Sequence, residues 1–513
     1  MELKLKKETF TSYEAVEETP ISFETTQEAI VPDSCADVAR IIDTSGTVLV
    51  HNKDLGPDGR VEVNGVIKTT VLFAPESGRE VGAIHLSIPY HSTCDSREAA
   101  SSGVYSVRAS LRSIDSRLLN PRKLLIRADI TLHLTAYQQK TVQLCTAADA
   151  DDKGLQILED TAETTVISQV AEREFTYMEE MSLSASRKGI REILDSRTAI
   201  SPSESRIIGG KLVLKGIIQA EILYQDLSGE LGTLRQEYLF SQILETSAAE
   251  DSGFARANFQ LAGYEYTLGS ENDREDDHIV TLSLHIRTCI EILEKRALHF
   301  LTDLYSISDE LSIEPQTLSL LEDLRSYSRK QNMREVLETA VAVKQVMDAS
   351  VSCGISTAQK GESGAWVQTP VRIKVLYLDE NDALLMAEKE IQVKGETDIS
   401  DGSEPTIQVC CPGEVAAGPA PEGIEVRFTL EFSIDTGIRS QRACVAQAAV
   451  EEGSREEGRQ PSIVLRKVAN GTRLWDIAKQ YRTTGADILA ANQLESENAI
   501  PADRLLLIPR RKV

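Results

Sequence analysis

The feature that most constrains this chain is an internal repeat with a period of about 150 residues. "VNGVIKTTVLF", which begins at residue 63, matches "LKGIIQAEILY" with an offset of 151 residues that places Gly65 on Gly216. Further on, "ADITLHLTAY" matches "VTLSLHIRTC" with an offset of 152. A weaker third copy contains "VRIKVLYLD" and "EVRFTLEFSID". A period this long is typical of a tandem array of domains, because the repeats of solenoids are only about 20–50 residues long.

The closing segment of each copy alternates apolar and polar residues. In the third copy the apolar phase consists of Val426, Phe428, Leu430, Phe432 and Ile434. Strict alternation predicts a half-buried antiparallel strand, and the turn sequences "APESG", "QDLSG" and "DENDA" follow earlier strands. Upstream, "DVARIID" and "GIREILD", which end at Asp43 and Asp195, are interpreted as a short helix near the start of each copy. The predicted fold class is therefore mainly β, with tandem, sheet-rich, β-sandwich-like repeats.

The repeat also predicts the domain boundaries. Residues 1–155, 156–308 and 309–448 are three sheet domains, and the third begins with "LRSYSRKQNMREVLETAVAVKQVM", which is interpreted as more helical. Residues 449–461 are polar, acidic and glycine-containing, as expected of a flexible linker. Residues 462–513 form a separate C-terminal module.

The C-terminal module follows the order strand, helix, helix, strand. One apolar stripe of its first helix consists of Leu474, Ile477, Ala478 and Tyr481. Thr472 is the predicted N-cap of this helix. Thr484 is predicted to cap the second helix, with Asp487 three residues further on in capping-box spacing.

This order, over residues 462–509, resembles a LysM module. The matching positions are Val468, Gly471, Leu474, Trp475, Ile477, Ala478, Tyr481, Ile488, Asn492, Leu494, Leu505, Ile508 and Pro509. The resemblance implies a groove for N-acetylglucosamine-containing glycans, formed by two loops. At those loops the family's Gly-Asp-Thr/Ser-Leu is Gly471, Thr472, Arg473 and Leu474 here, and its Pro-Gly is Pro501 and Ala502. Both protein and glycan therefore stay open as the ligand. The residues predicted to contact partner or ligand are Gly471, Thr472, Arg473, Trp475, Lys479, Arg482 and Asn492.

Charge is distributed unevenly along the chain. The formal net charge is −25, but residues 461–513 carry +4, which leaves −29 on the body. A body of this charge, with 5% aromatic residues, excludes nucleic acid as the main ligand, because phosphate contacts need a positive field. The basic module is suited to an acidic protein surface.

The sequence contains no recognisable catalytic or cofactor site. Cys35 is the one candidate nucleophile, since "PDSC" stands before a segment interpreted as a helix, with His85 and His91 as bases. No nucleotide-binding glycine motif and no metal-binding pair of histidines occurs. The eight scattered cysteines are interpreted as reduced thiols. We predict a non-enzyme with no cofactor and no metal.

The N-terminus is charged and lacks the apolar run of a signal peptide, and no uncharged stretch of about eighteen apolar residues occurs. These features predict a soluble, intracellular protein.

The strand pattern of the repeats resembles the SPOCS domain of sporulating Firmicutes. SPOCS repeats followed by a LysM module resemble the SipL-like family of spore envelope and coat morphogenetic proteins. The resemblance implies a non-enzymatic scaffold in the mother-cell cytoplasm, at the forespore surface and in the spore coat, peripheral to the outer forespore membrane. It implies that the LysM module binds the morphogenetic ATPase that polymerises as the basement layer of the coat, and self-association is a further expectation.

Two other hypotheses stay open. The chain could bind peptidoglycan glycan of the spore cortex, which Trp475 and Asn492 suggest. It could also be a wall hydrolase that uses Cys35.

Overall fold

The computed structural model describes residues 3–56, 58–76, 80–151, 154–246, 248, 253–269, 276–361, 364–397, 403–451, 462–469, 471–496 and 505–510. Within these residues the chain forms 22 strands and three short helices. The mainly β fold class is confirmed, and so is the small βααβ module at the C-terminus. Most of the predicted linker, residues 452–461, lies outside the described residues.

The first unit is a β-sandwich built on two long strands. Its elements are β1 (Leu3–Ile30), β2 (Val38–Leu55), β3 (Arg60–Pro75), β4 (Gly82–Asp95), α1 (Arg97–Ser102), β5 (Val104–Asn120) and β6 (Lys123–Ala150). Strands β1 and β6 pair antiparallel along their whole length, and β5 pairs with β6. The antiparallel sheet β2-β3-β4 packs on one end of this ribbon, where Ile67, Ile126 and Ile130 are fully buried.

The second and third units repeat this plan. The second contains β7 (Leu155–Ser182), β8 (Ile190–Ile208), β9 (Lys211–Asp226), β10 (Leu231–Glu245), β11 (Gly253–Leu268) and β12 (Ile279–Ser306). The third contains β13 (Leu311–Glu338), β14 (Val343–Cys353), β15 (Thr357–Gly361), β16 (Gly364–Asp379), β17 (Leu384–Thr397), β18 (Ser403–Cys410), β19 (Ala416–Ala420) and β20 (Gly423–Val450). Each unit has its own core between ribbon and small sheet. Whether each unit folds alone, as the predicted domain boundaries imply, stays a prediction.

The helices predicted near the start of the repeats are wrong. "DVARIID" lies in β2, "GIREILD" lies at the start of β8, and the start of the third copy lies in β13 and β14. In β2 the pairing register shifts between Val38 and Arg40 and again between Ile41 and Asp43, and β8 and β14 shift at equivalent positions. Each bulge inserts a residue into the strand. Buried Val38 and Ile42 are therefore four residues apart, which imitates the spacing of a helix.

The glycine shared by the first two copies makes room for an aromatic ring. Gly65 lies opposite Tyr90, and Gly216 lies opposite Phe240. A Cβ atom on Gly216 would stand 2.3 Å from the Phe240 ring. The repeat therefore keeps glycine here because the ring covers the strand.

The three small sheets meet in one shared apolar cluster. Its members include equivalent residues of the three units: Ile42, Leu194 and Met347, and Leu72, Leu223 and Leu376. The residue after each member of the first set is a buried aspartate: Asp43, Asp195 and Asp348. The units are therefore arranged with pseudo-three-fold symmetry around this cluster.

Each of these aspartates receives a polar contact from a neighbouring unit. The three contacts are Lys374 Nζ to Asp43 Oδ1 at 2.7 Å, Ser45 Oγ to Asp195 Oδ1 at 3.0 Å, and Arg235 Nη2 to Asp348 Oδ1 at 2.8 Å. They link the third unit to the first, the first to the second and the second to the third. We call this closed cycle of units the ring.

The far ends of the long strands form a second shared core, which we call the stalk. Each long strand has 28 residues, so equivalent positions are easily matched. Leu144, Phe300 and Cys444 are equivalent and lie in one buried cluster, and Cys145, Leu301 and Val445 lie in the next. The far end of each ribbon is therefore buried against the other two.

A cavity of about 910 Å³ is lined by strands of all three units. Three polar contacts in its lining join groups of different units. The pairs are Tyr137 Oη to Glu291 at 2.6 Å, Arg256 to Asp435 at 2.5 Å, and Arg439 to Glu14 at 3.5 Å. These groups hold the units together.

Candidate partner-binding module

The LysM-like module is a two-stranded sheet covered by two helices. Its elements are β21 (Ile463–Lys467), α2 (Leu474–Tyr481), α3 (Gly485–Ala491) and β22 (Leu505–Pro509). Its buried core contains Val468, Leu474, Ile477, Ala478, Ile488, Leu506 and Ile508. The stripe predicted for the first helix supplies the three buried residues of α2, while Tyr481 is half-buried.

Of the two predicted helix caps, one is wrong and one is confirmed. The N-cap of α2 is Arg473 and not Thr472, and its side chain makes no capping bond. The backbone amide of Thr472 instead donates to the carbonyl of Ala469 at 3.3 Å, because the chain turns at this point. The Thr484 hydroxyl accepts from the amide of Asp487 at 3.0 Å, so it caps α3 as predicted.

The loop before α2 is accessible. Gly471 is exposed with φ of +82°, and a Cβ there would meet nothing within 4 Å. The Arg473 side chain is 68% exposed, and its guanidinium pairs with Asp476 at 2.9 Å. That hydrogen bond raises the pKa of Arg473, so the guanidinium keeps its positive charge. This loop is one wall of the groove that the family resemblance implies. Pro501 and Ala502, of the second loop that the resemblance assigns to the groove, lie outside the described residues.

Three of the predicted contact residues, Trp475, Lys479 and Arg482, touch the body of the same chain. Trp475 Nε1 donates to Asp303 Oδ2 at 2.7 Å, and Lys479 Nζ donates to Asp303 Oδ1 at 2.5 Å. The Trp475 ring meets the Tyr305 ring edge to face, with 4.9 Å between centroids. Asp303 and Tyr305 lie near the end of β12 in the second unit. The face of α2 that carries Trp475 is therefore docked on the stalk.

The contact continues along the end of α2. The Tyr305 hydroxyl donates to the carbonyl of Thr483 at 2.8 Å, and Arg482 pairs with Glu310 at 3.4 Å. Burial raises the pKa of Tyr305 to about 12, so this hydroxyl stays a donor. Tyr305 and Ile307 are 5% and 7% exposed and belong to the same buried cluster as the module's own core.

Asn492 joins the last turn of α3 to β22. Its amide nitrogen donates to the carbonyls of Ile488 at 2.7 Å and Leu507 at 2.6 Å. Its amide oxygen accepts from the Leu507 backbone at 2.8 Å. These bonds close the module, and a ligand contact by Asn492 stays a prediction.

Sequence reasoning missed an apolar surface on the module. Ile463, Leu465 and Leu505 are 58%, 62% and 65% exposed and lie on one face of the two-stranded sheet, which we call the apolar sheet face. Lys467, opposite Leu505, is exposed at its edge. The sequence "IVLRK" could have indicated this surface. In a strand Val464 faces the core, so its apolar neighbours Ile463 and Leu465 point to the other side. Exposed large apolar residues grouped in this way are typical of contact surfaces.

The candidate catalytic thiol lacks its expected setting. Cys35 lies in a turn before strand β2, so no helix N-terminus is near it in the chain. Its Sγ lies 3.8 Å from the carbonyl of Ala83. His85 and His91 contact Thr70 and Asn64 instead. The eight cysteines are free thiols.

The described part of the chain holds one group with the spacing of a metal site, Asp276, Asp277 and His278. These are consecutive residues of one loop, and His278 contacts Asp277 and the carbonyl of Arg187. None of the described helices has the length and apolarity needed to cross a membrane.

Comparison with protein families finds the SipL, SPOCS domain in residues 37–119 and 189–268, and the LysM domain in residues 467–509. These matches confirm the resemblance drawn from the repeats and the C-terminal module. The SPOCS segments coincide with β2–β5 and β8–β11, so the long ribbons lie outside them. Neither the curated proteins nor the solved structures compared with the chain gave a match.

Proposed function

We propose that this chain, which contains two SPOCS domains and a LysM domain, is a non-enzymatic scaffold of the spore envelope that tethers the basement-layer ATPase of the coat to the forespore surface. The domain content supports a sporulation-related binding protein, because both domain types are binding domains. The tether itself, its site at the forespore surface in the mother cell and the ATPase as partner rest on the family resemblance.

The observation that carries the proposal is the apolar sheet face of the LysM domain. It remains exposed although the opposite side of the module is docked on the stalk. An exposed patch of Ile and Leu beside a lysine suits a protein surface. The +4 charge of residues 461–513 suits an acidic partner.

The test is co-sedimentation of the full chain with polymerised ATPase. Leu465→Asp places a charge in the centre of the apolar sheet face, and we expect it to weaken capture about tenfold or more. Leu239→Asp is the matched control, because Leu239 is 75% exposed on β10, far along the chain from the module. Unchanged capture by Leu465→Asp, with both variants folded, would overturn the assignment of this face.

A second candidate function is binding of peptidoglycan glycan, which the exposed Gly471–Arg473 loop favours. The same full-length protein is sedimented with insoluble peptidoglycan. Retention there, with no capture by the polymer, would replace the tether by a cortex-binding role. Arg473→Glu should then change glycan retention while Leu465→Asp leaves it unaltered.

A further inference from the structure

The docked face of α2 meets a strand that presents a carboxylate and an aromatic ring two residues apart. Residues two apart in a strand point to the same side, so Asp303 and Tyr305 face the helix together. Asp303 accepts from Trp475 and Lys479, and the Tyr305 ring packs on Trp475. The helix face therefore contacts this short segment of β12 through an ion pair, a hydrogen bond and a ring contact.

The body is specialised for this contact at only one of its three equivalent strand ends. The residues that match Asp303 and Tyr305 are Ala147 and Asp149 in the first unit, and Gln447 and Ala449 in the third. Neither of those pairs combines a carboxylate with a ring in this order. We call Asp303 and Tyr305 of the second unit the socket. The equivalent positions of the other two units lack this pair, so the shared fold of the units does not require it.

The contact also has features of one that can open. The hydroxyl oxygen of Thr483 is buried and has no hydrogen-bond partner among the described residues, which costs free energy. Arg482 ends α2 with φ of +50°, a conformation that costs a non-glycine residue energy. Residues 452–461 lie between the end of β20, in the stalk, and the module. Ten residues span at most about 35 Å when extended. The unsatisfied hydroxyl and the left-handed residue favour release of the module from this contact.

We propose that α2 is a recognition surface for an extended, acidic-aromatic segment, and that Asp303–Tyr305 occupies it as a releasable latch. A partner that offers a carboxylate and an aromatic ring with the same spacing competes with the socket. The proposal rests on the proposed function, because it regulates access to the same LysM domain. The apolar sheet face stays available while the latch is closed, so a partner makes first contact there and then displaces the socket.

The test opens the latch from the body side and leaves the LysM surface intact. Asp303→Asn removes the carboxylate that accepts from Trp475 and Lys479, and Asp149→Asn makes the same charge change at the equivalent end of the first unit. In a Trp366→Phe background, Trp475 is the only tryptophan, since the chain contains two. Emission and acrylamide quenching of Trp475 then report docking, and capture by the polymerised ATPase reports partner binding.

We expect Asp303→Asn to shift Trp475 emission to the red, to raise its quenching constant and to strengthen capture about tenfold, because a larger fraction of the chain is competent to bind. Asp149→Asn should match the parent in all three measurements. If Trp475 becomes accessible but capture is unchanged from a parent that binds, the latch is refuted and the proposed function stands. If Trp475 is already as open to the quencher in Asp149→Asn as in Asp303→Asn, the docking contact does not hold the module in solution and the latch is refuted. If neither variant is captured, the proposed function fails as well.

Discussion

Glu221 makes the stability of the ring dependent on pH. Its carboxylate pairs with Arg235 and lies 3.4 Å from Arg197, and both arginines also reach Asp348 of the third unit. Burial, together with the neighbouring Asp348, raises the pKa of Glu221 to about 7 against the attraction of the arginines. Burial would raise the pKa of Asp348 too, but Arg197, the hydrogen bond with Glu221 and Arg235 together outweigh burial there, and the pKa is lowered.

The sign follows from proton binding. Between pH 4.5, the ordinary value for Glu221, and about pH 7, the native chain holds a proton at this site that the unfolded chain has released. The native state binds more protons, so the free energy of unfolding falls as pH rises through this window. Raising the pKa from 4.5 to about 7, at about 1.4 kcal/mol per pKa unit, sets an upper bound of about 3.5 kcal/mol. Asp348 acts in the opposite sense, and its contribution is lost only in acid, below about pH 4.

Glu221→Gln isolates this effect, because glutamine does not titrate. We expect the thermal midpoint of the variant, relative to the parent chain, to rise from pH 5 to about pH 7 and to level off by pH 8. Glu237→Gln is the control, since Glu237 lies exposed on the same small sheet; its difference from the parent should stay flat. A Glu221→Gln difference that is flat or falls with pH would refute the reasoning, because it would mean that the native ring does not hold the proton.

Three further predictions concern the fold. Phe300→Ala, at a stalk position that is 1% exposed, should cost about 3–5 kcal/mol and speed hydrogen exchange in β6 and β20 as well as β12; exchange confined to β12 would mean that the stalk is not one core. Gly216→Ala should lower the thermal midpoint, because its Cβ would lie 2.3 Å from Phe240, whereas Gly418→Ala meets nothing within 4 Å and should not. Asn492→Ala should cost about 1–3 kcal/mol in the LysM domain and speed exchange in β22; a variant that loses glycan retention with unchanged exchange would instead give Asn492 a ligand role.

The strands were predictable because alternation records burial directly. The closing strand of the third copy buries the phase that the sequence indicates, with Val426, Leu430 and Ile434 at 0–1% exposure. The bulged starts of β2 and β8 were not predictable by the same rule, since an extra residue breaks the period of two. The aligned endings at Asp43 and Asp195 did carry a signal. An acid after an apolar residue in two copies is a sign of a buried polar contact, but it was not used to predict one.

The docking of the LysM domain could not be predicted from the sequence. Trp475 and Asp303 are 172 residues apart, and neither stands out in its own segment. The local pattern predicted α2 and its apolar stripe, because these depend on neighbours within one helix. Which side of the helix meets the body depends on how two parts of the chain that are distant in sequence pack together, and the linker sequence does not specify that. The apolar sheet face could have been predicted, because a short strand whose side chains alternate between its two sides can bury only one side in the core of the module.

The closed ring has a consequence for valency. As separate chains, the three units would assemble only at a sufficient protein concentration. Here they are parts of one chain, so their local concentration is fixed however dilute the protein is. The three copies have also diverged, and a single socket serves a single LysM domain. Each chain therefore presents a single LysM domain. Under the proposed function, each chain is a monovalent adaptor, and clustering on the polymer is set by the spacing of sites on that polymer.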